Sequence, residues 1–159
     1  MAVFDDMIRK SLVRLDMSEP DGYQVVTSLV ERAAEVGLLA PEQVDEAITS
    51  ILKREQSAST ALSDGIAMPH GRTDCVKELV CMIGIHPGGV DFGSLDGQPT
   101  RIFIQILAPV TVACGYIQFL ANLSRRLQER PVRDALLAAT SREHVLDALT
   151  GQSNKGLER

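Results

Sequence analysis

The sequence has 159 residues, of which 45% are hydrophobic and 23% charged, and its formal net charge is −5. This composition is ordinary for a soluble globular protein. The acidic balance, with 4% aromatic residues and no Trp, argues against a nucleic-acid binder, which needs a cationic surface or stacking rings.

Targeting segments and disulfides are not expected either. No apolar run approaches the roughly 20 residues of a membrane span, and Asp5 and Asp6 near the N-terminus do not fit a signal peptide. The three cysteines are an odd number without a Cys-x-x-Cys pair, so neither a disulfide framework nor structural zinc is predicted. We expect a cytoplasmic protein with one domain over residues 1–159 and a core over about 12–150.

A strand and two helices are predicted in the first third of the chain. Leu12–Met17 alternates apolar and polar residues, as a short half-buried strand does. A first helix is expected to begin after a Ser18 cap and to stop near Gly37. Its apolar face comprises Val26, Leu29, Val30 and Ala33. A second helix is expected from Pro41 to about Glu55. Its apolar face comprises Val44, Ile48 and Ile51.

Strands and glycine-rich turns follow. Leu79–Ile85 is nearly continuous in apolar residues, which indicates a strand buried on both faces, and His86–Gly89 is expected to break it. An Asp96-Gly97 turn precedes the clearest later strand, Arg101–Leu107, and Pro109 ends that strand.

Helical spacing returns from about Ala113. The aligned positions of this helix are Ile117, Leu120, Leu123 or Ser124, and Leu127. A short helix is expected over Pro131–Leu137 and a last one from a Ser141 cap to Leu149, and residues 151–159 form a polar tail. Helices at both ends with strands between them predict an α/β fold with three layers.

The corner Pro69-His70-Gly71 is the leading candidate for chemistry. Pro69 stiffens the backbone and Gly71 frees it again, which suits a side chain held outward at the end of a strand. A neutral imidazole is a competent nucleophile near pH 7, and one ring nitrogen attacks while the other donates its proton to a carbonyl. The alternative is that His70 is an ordinary structural histidine.

Two arginines suggest the group that such a nucleophile would attack. Arg54 closes the second helix and Arg72 lies two residues after His70. Guanidinium groups bind phosphoryl oxygens in a forked geometry, and phosphoryl transfer depends mostly on positioning and charge stabilisation. Histidine with arginine, and no metal-ligand spacing, fits phosphohistidine chemistry without a metal or cofactor. The alternative is that both arginines are solvated surface cations.

Other reactive side chains have simpler interpretations. His86 is expected at the surface, His144 facing solvent and Cys81 in the core. A basic patch at a helix-to-helix corner is either a solvated face or a docking patch for an acidic partner surface. Its members are Arg125, Arg126, Arg130 and Arg133.

Ser59-Thr60 and the run Gly65-Ile66-Ala67-Met68-Pro69-His70-Gly71 resemble the active-site signature of enzyme IIA, fructose/mannitol type. This family belongs to the bacterial phosphoenolpyruvate-dependent sugar phosphotransferase system and includes nitrogen-regulatory IIA proteins. Arg54-Glu55 stands where the family carries Arg-Glu before the Ser-Thr pair. The similarity extends from about residue 12 to residue 149 through Val90-Asp91-Phe92, Asp96-Gly97-Gln98-Pro99 and Leu107-Ala108-Pro109.

The resemblance implies a three-layer α/β/α sandwich with a central mixed sheet. It also implies that His70 accepts a phosphoryl group from the histidine phosphocarrier protein and passes it to a IIB domain or keeps it as a regulatory mark. Arg54 corresponds to the phosphate-stabilising arginine of the family, and Arg72 and Thr60 are the implied neighbours of the phosphate.

The chain departs from the family at one position. The family carries a second active-site histidine where this sequence has Tyr116. A phenol donates one hydrogen bond but is uncharged at neutral pH, so it lacks the cationic assistance of an imidazolium. Tyr116 is therefore either a phosphate neighbour or a partly buried structural aromatic.

The leading hypothesis is a phosphotransfer protein of the IIA type. The absence of a fused IIB domain or membrane segment from the sequence favours a regulatory role over dedicated sugar uptake. The alternatives are a non-catalytic regulatory binding module that keeps the IIA fold and the anion-binding corner, and a small-anion sensor. No feature of the sequence indicates a sugar, a regulatory target or an oligomeric state.

Overall fold

The computed structural model describes residues 2–111 and 114–151, which form six α-helices, a short 3-10 helix and five strands. The helices are α1 (Ala2–Arg9), α2 (Gly22–Glu35), α3 (Val44–Ser57), α4 (Cys114–Leu127), α5 (Arg130–Ala138) and α6 (Arg142–Thr150), and the 3-10 helix is Pro41–Gln43. The strands are β1 (Leu12–Arg14), β2 (Ile66–Ala67), β3 (His70–Arg72), β4 (Val80–Val90) and β5 (Thr100–Ala108).

The strands form one mixed sheet in the order β1-β4-β5-β2, with β3 also paired to β5. β4 and β5 are antiparallel, whereas β1 runs parallel to β4, and β2 and β3 run parallel to β5. Parallel pairing needs crossover connections, and the helices supply them. Helices therefore cover both faces of the sheet.

Two apolar clusters fill the space between the sheet and the helices. One face packs against α2 and α3, through residues such as Leu29, Ile51 and Phe103. The other face packs against α1, α4, α5 and α6, through residues such as Ile104 and Leu123. The expected three-layer α/β/α sandwich with a mixed sheet is confirmed.

Most of the predicted elements are present with small differences in their bounds. The buried face of α2 includes all four of its predicted apolar residues, and the 3-10 helix that opens at Pro41 leads into α3. Gly37 has a φ of 85° just beyond the end of α2, where an L side chain would be strained. Ser141 caps α6 by accepting a hydrogen bond from the His144 N–H. The predictions for Ala113 and for residues 152–159 lie outside the described residues.

Two expectations for local structure were wrong, and one helix was missed. Asp21, and not Ser18, caps α2, because its carboxylate accepts the Gln24 N–H at 2.8 Å. The helix α1 was not predicted. The His86–Gly89 run does not end β4, which continues to Val90 with a shift of register after Ile85. A bulge absorbs the irregular residues without ending the strand.

The buried face of α4 includes the predicted Leu123 and Leu127 but begins one residue earlier than predicted. Tyr116, Phe119, Leu123 and Leu127 are buried, whereas Ile117 is 64% exposed. The predicted set began one residue too late because Ile117 is the more hydrophobic of two neighbours. The shift directs Tyr116 into the core cluster that contains Met68 and Ile106.

The site segment forms two short strands separated by Met68 and Pro69. Ile66 pairs with Ile102 and His70 pairs with Ile106, so β2 and β3 keep the same register on β5. Proline has no N–H to donate, which interrupts the pairing, but the Pro69 carbonyl accepts the Ile106 N–H at 2.9 Å. His70 therefore begins a strand after a proline break.

Gly71 is required for close packing and not for backbone freedom. It has no positive φ. A Cβ added there would lie 2.2 Å from Ser50 Oγ and 3.0 Å from the Ile51 nitrogen on α3. The missing side chain thus lets α3 approach β3 directly, which corrects the reason that the sequence suggested for this glycine.

Gly71→Ala is expected to lower the free energy of unfolding by about 1–3 kcal/mol, because the added methyl group overpacks the α3–β3 contact. Urea denaturation measures the change. Gly88→Ala is the matched control, since its Cβ would come no closer than 3.9 Å to His86, and we expect a change within about 0.5 kcal/mol. Equal stability of the two variants would contradict the close approach.

Candidate functional site

His70 is the first residue of β3, directly after the break in the edge strand, and its side chain is partly exposed. Its Nδ1 is 2.9 Å from the Met68 carbonyl oxygen. A carbonyl only accepts hydrogen bonds, so Nδ1 carries the proton and the Nε2 of the neutral ring carries the lone pair. The backbone two residues earlier therefore fixes the tautomer that makes Nε2 the nucleophilic atom.

Tyr116 begins the buried face of α4 beside this imidazole. The two ring centroids are 6.2 Å apart, and Tyr116 is 6% exposed. Its hydroxyl group is buried and has no hydrogen-bond partner among the described residues. Burial raises the pKa of the Tyr116 phenol, and the nearby Arg72 and Arg54 charges reduce this increase. The phenol is therefore neutral at physiological pH.

Arg72 and Arg54 contribute positive charge from two different layers. Arg72 alternates with Gly71 on β3, so it points to the same side of the sheet as His70, and its Cζ lies 5.3 Å from the Tyr116 ring centroid. This is cation–π distance. Arg54, in the last turn of α3, donates from Nη1 to the Ala58 carbonyl at 2.9 Å. Both charges act on the Tyr116 phenol, so Tyr116 lies beside His70 and within electrostatic reach of both arginines.

Thr60 is buried and already has a partner. Its hydroxyl group donates to Glu55 Oε2 at 2.6 Å, and its N–H donates to Glu55 Oε1 at 2.8 Å. The described contacts therefore use the hydroxyl proton of Thr60 within the protein, and its expected role next to a phosphate stays a prediction. The sequence did not indicate the part played by Glu55, because a side-chain contact across five residues follows no helix or strand period.

The surroundings of His86, His144 and Cys81 test the positions expected for these residues. His86 is buried, 6% exposed, and its Nε2–H donates to the Glu19 carbonyl at 2.8 Å, so the expected surface position was wrong. The bulged strand β4 carries its ring inward. His144 is exposed, as predicted, and Cys81 is in the core, where burial raises the pKa of its thiol to about 12. A raised pKa disfavours the nucleophilic thiolate.

The arginine-rich corner between α4 and α5 is only partly a solvated face. Arg126 donates to the Ala148 and Leu149 carbonyls at the end of α6. Arg133 donates to the Leu127 and Gln128 carbonyls at the end of α4. These guanidinium groups satisfy helix C-termini, which lack internal donors. Arg125 and Arg130 are exposed.

Two structural findings concern metals and membranes. Across residues 2–111 and 114–151, no group of three or more His, Cys, Asp or Glu side chains could hold a metal ion. In the same part of the chain, no helix is both long and apolar enough to cross a bilayer.

Comparison with known families identifies the chain. Residues 6–151 match the family described as "Phosphoenolpyruvate-dependent sugar phosphotransferase system, EIIA 2". The chain belongs to this family. The match spans all the elements from the end of α1 to α6, and it includes every residue described above at the site.

Relatives of this EIIA protein include sugar-specific components and nitrogen regulatory proteins. It is 30% identical over 151 residues to the fructose-specific EIIA component of Haloferax volcanii, covering 94% of this chain and 97% of the relative. It is also 26% identical to a nitrogen regulatory protein of Bradyrhizobium diazoefficiens, covering 77% of this chain and 80% of the relative.

Solved structures agree with the fold. The nitrogen regulatory protein IIA-Ntr of Neisseria meningitidis superposes with a TM-score of 0.82 at 23% identity, covering 92% of this chain and 99% of that one. The mannitol enzyme IIA of Escherichia coli, solved in complex with phosphorylated enzyme IIB, gives a TM-score of 0.73 at 26% identity, covering 87% of this chain and 94% of that one.

The Tyr116 hydroxyl group has no hydrogen-bond partner among the described residues, and this leads to a prediction about stability. Tyr116→Phe removes a buried polar atom whose burial no hydrogen bond offsets, so we expect the free energy of unfolding to stay equal or to rise by up to about 1 kcal/mol. Denaturant titration checks it, with Tyr23→Phe, at a residue that is 52% exposed, as the control. A loss of more than about 1 kcal/mol in Tyr116→Phe alone would show that the hydroxyl group has a stabilising partner.

Proposed function

We propose that this EIIA protein accepts a phosphoryl group on Nε2 of His70 from the phosphohistidine of the histidine phosphocarrier protein. The observation that carries the proposal is the 2.9 Å hydrogen bond from His70 Nδ1 to the Met68 carbonyl, which leaves the lone pair on the outer nitrogen. Membership of the EIIA family supports phosphoryl as the transferred group.

The transfer step is balanced without a metal or a redox partner. The Nε2 lone pair forms the new P–N bond while the P–N bond of the carrier breaks, and that electron pair returns to the carrier's ring nitrogen. His70 keeps its Nδ1 proton, and the Met68 carbonyl stabilises the positive charge that the ring acquires. The transition state is loose, so positioning and charge supply most of the rate enhancement.

The surrounding side chains have distinct roles in this proposal. Arg54 and Arg72 would neutralise the phosphoryl oxygens with their guanidinium charges. Tyr116 would donate its phenolic proton, which at present has no acceptor among the described residues. The solved complex of a relative with phosphorylated enzyme IIB supports a IIB domain as the acceptor of the next transfer.

The regulatory role stays a prediction. The relatives include a fructose-specific component and nitrogen regulatory proteins at similar identity. Either role begins with the same charging of His70, so the experiment that follows applies to both.

Charging of His70 is tested by incubating the protein with phosphoenolpyruvate, enzyme I and the phosphocarrier, and by measuring its intact mass. We expect one phosphoryl group on the wild type and none on His70→Ala. The expected position is Nε2, which 31P and 15N NMR distinguish from Nδ1, because the Nδ1 proton is held by Met68.

His144→Ala is the control for this experiment, since His144 is exposed at the start of α6, and it should be labelled as the wild type is. Labelling that persists in His70→Ala would contradict the assignment. A wild-type protein that cognate carriers leave unlabelled would exclude the transfer function.

A second candidate function is a non-catalytic module that binds anions at the same corner. The observation that favours it is the neutral, buried Tyr116 at the position of the family's second histidine, because it removes one source of cationic assistance. This function needs only the charges of Arg54 and Arg72.

The binding function predicts that inorganic phosphate raises the melting temperature, since a ligand that binds only the native state stabilises it. Arg54→Ala should abolish the shift, whereas Lys53→Ala, an exposed neighbour on α3, should keep it. An unchanged melting temperature of the wild type at saturating phosphate would count against this function.

A further inference from the structure

A buried carboxylate lies next to Arg54 in the last turn of α3. Glu55 is 8% exposed, and each of its oxygens accepts one hydrogen bond from Thr60, from the N–H at 2.8 Å and from the hydroxyl group at 2.6 Å. An ionised carboxylate is costly to bury unless it is well hydrogen-bonded. Two short bonds to one residue therefore fix the position of Thr60 relative to α3.

The fixed position of Thr60 in turn restrains the backbone beside His70. The Thr60 carbonyl accepts the Met68 N–H at 3.2 Å, and the Met68 carbonyl in turn accepts the His70 Nδ1–H at 2.9 Å. Ala61 pairs with Ala67 in the same antiparallel contact. A continuous path of hydrogen bonds thus joins the Glu55 carboxylate to the imidazole through Thr60 and Met68.

Sequence order alone would not bring these groups together. Gly65 and Pro69 turn their carbonyls to β5, so by strand alternation the peptide groups of Met68 face away from β5, and the Met68 N–H donates to Thr60. If Thr60 moves, the Met68 peptide loses that restraint, and its carbonyl is no longer fixed under the His70 ring. An imidazole without that acceptor is free to carry its proton on Nε2, where the proton blocks attack.

We propose that Glu55 and Thr60 are positioning residues that hold the Met68 carbonyl and thereby keep His70 in the tautomer with the proton on Nδ1. In this role they act through Met68, and no contact of theirs with the phosphoryl group or the phosphocarrier is needed. The importance of this tautomer for transfer rests on the proposed function, whereas the tautomer itself is a property of the unphosphorylated protein.

The experiment measures the tautomer directly by long-range 1H–15N NMR of the His70 ring in the full chain, without carrier proteins. The wild type is expected to show the Nδ1–H form. In Thr60→Val, which keeps the shape but removes the hydroxyl group, the fraction of the Nε2–H form is expected to rise several-fold. Thr60→Ser restores the hydroxyl group and should restore the wild-type spectrum.

A matched control separates positioning from simple support of the loop. Ser59 lies in the same loop, and its hydroxyl group donates to the Phe92 carbonyl at 2.7 Å and accepts the Ala61 N–H at 3.1 Å. Neither bond joins Ser59 to Thr60, Met68 or His70. Ser59→Ala removes both bonds and should leave the His70 tautomer unchanged. If Thr60→Val leaves the tautomer as Ser59→Ala does, the positioning role is wrong.

Glu55→Gln keeps the size of the side chain and gives a second measurement if Thr60→Val does not fold. Its amide has a single acceptor oxygen, so the bond to the Thr60 N–H or the bond to the hydroxyl group is altered, and the Nε2–H form should again increase. An unchanged tautomer in a folded Glu55→Gln protein would likewise overturn the proposal.

Phosphotransfer kinetics supply the functional readout. Thr60→Val is expected to lower kcat for phosphorylation by about tenfold, equivalent to the loss of about one hydrogen bond, with an unchanged KM for the phosphocarrier. A rise in KM with kcat unchanged would contradict the positioning role, because it would indicate a lost docking contact. If the wild type is not phosphorylated at all, the proposed function fails, while the NMR result still decides the tautomer.

Discussion

The proline break in the edge strand is the constraint on which the site depends. Pro69 cannot donate to β5, yet its carbonyl accepts the Ile106 N–H, so β2 and β3 stay in one register across the gap. Gly65 and Pro69 turn their carbonyls to β5, so the alternate carbonyl of Met68 faces away from the ladder and accepts the proton of the His70 ring. A main-chain acceptor outside the ladder thus supports a side chain.

Close packing at Gly71 brings the helix layer that contains α3 against β3. Because a Cβ there would lie 2.2 Å from Ser50 Oγ, only a glycine lets α3 lie against β3. The last turn of α3 is thereby brought to the strand that bears His70. Alternation along β3 directs His70 and Arg72 to the opposite face, beside Tyr116 of α4. The site is therefore built where both layers reach the same edge of the sheet.

Much of the fold could be predicted from periodicity, and the failures have physical causes. The helix α2 and the strand β5 bury long regular patterns, so their residues were identified. The face of α4 was wrong by one residue because Ile117 is more hydrophobic than Tyr116, although the aromatic ring packs into the core. His86 was misplaced because Pro and Gly usually indicate a turn, whereas here a bulge continues the strand. The contact between Glu55 and Thr60 depends on tertiary geometry, which no local pattern encodes.

The charged groups at the site determine how the rate of the proposed reaction can depend on pH. A second imidazole would make the stabilisation of a phosphoryl group vary near neutral pH, because its own proton is lost in that range. Arg54 and Arg72 contribute guanidinium charge close enough to act on the Tyr116 phenol. Burial raises the pKa of the Tyr116 phenol, despite the opposing effect of Arg72 and Arg54, so the phenol keeps its proton. Tyr116 therefore supplies the proposed reaction with a hydrogen-bond donor that keeps its proton near neutral pH, and not with a titratable cation.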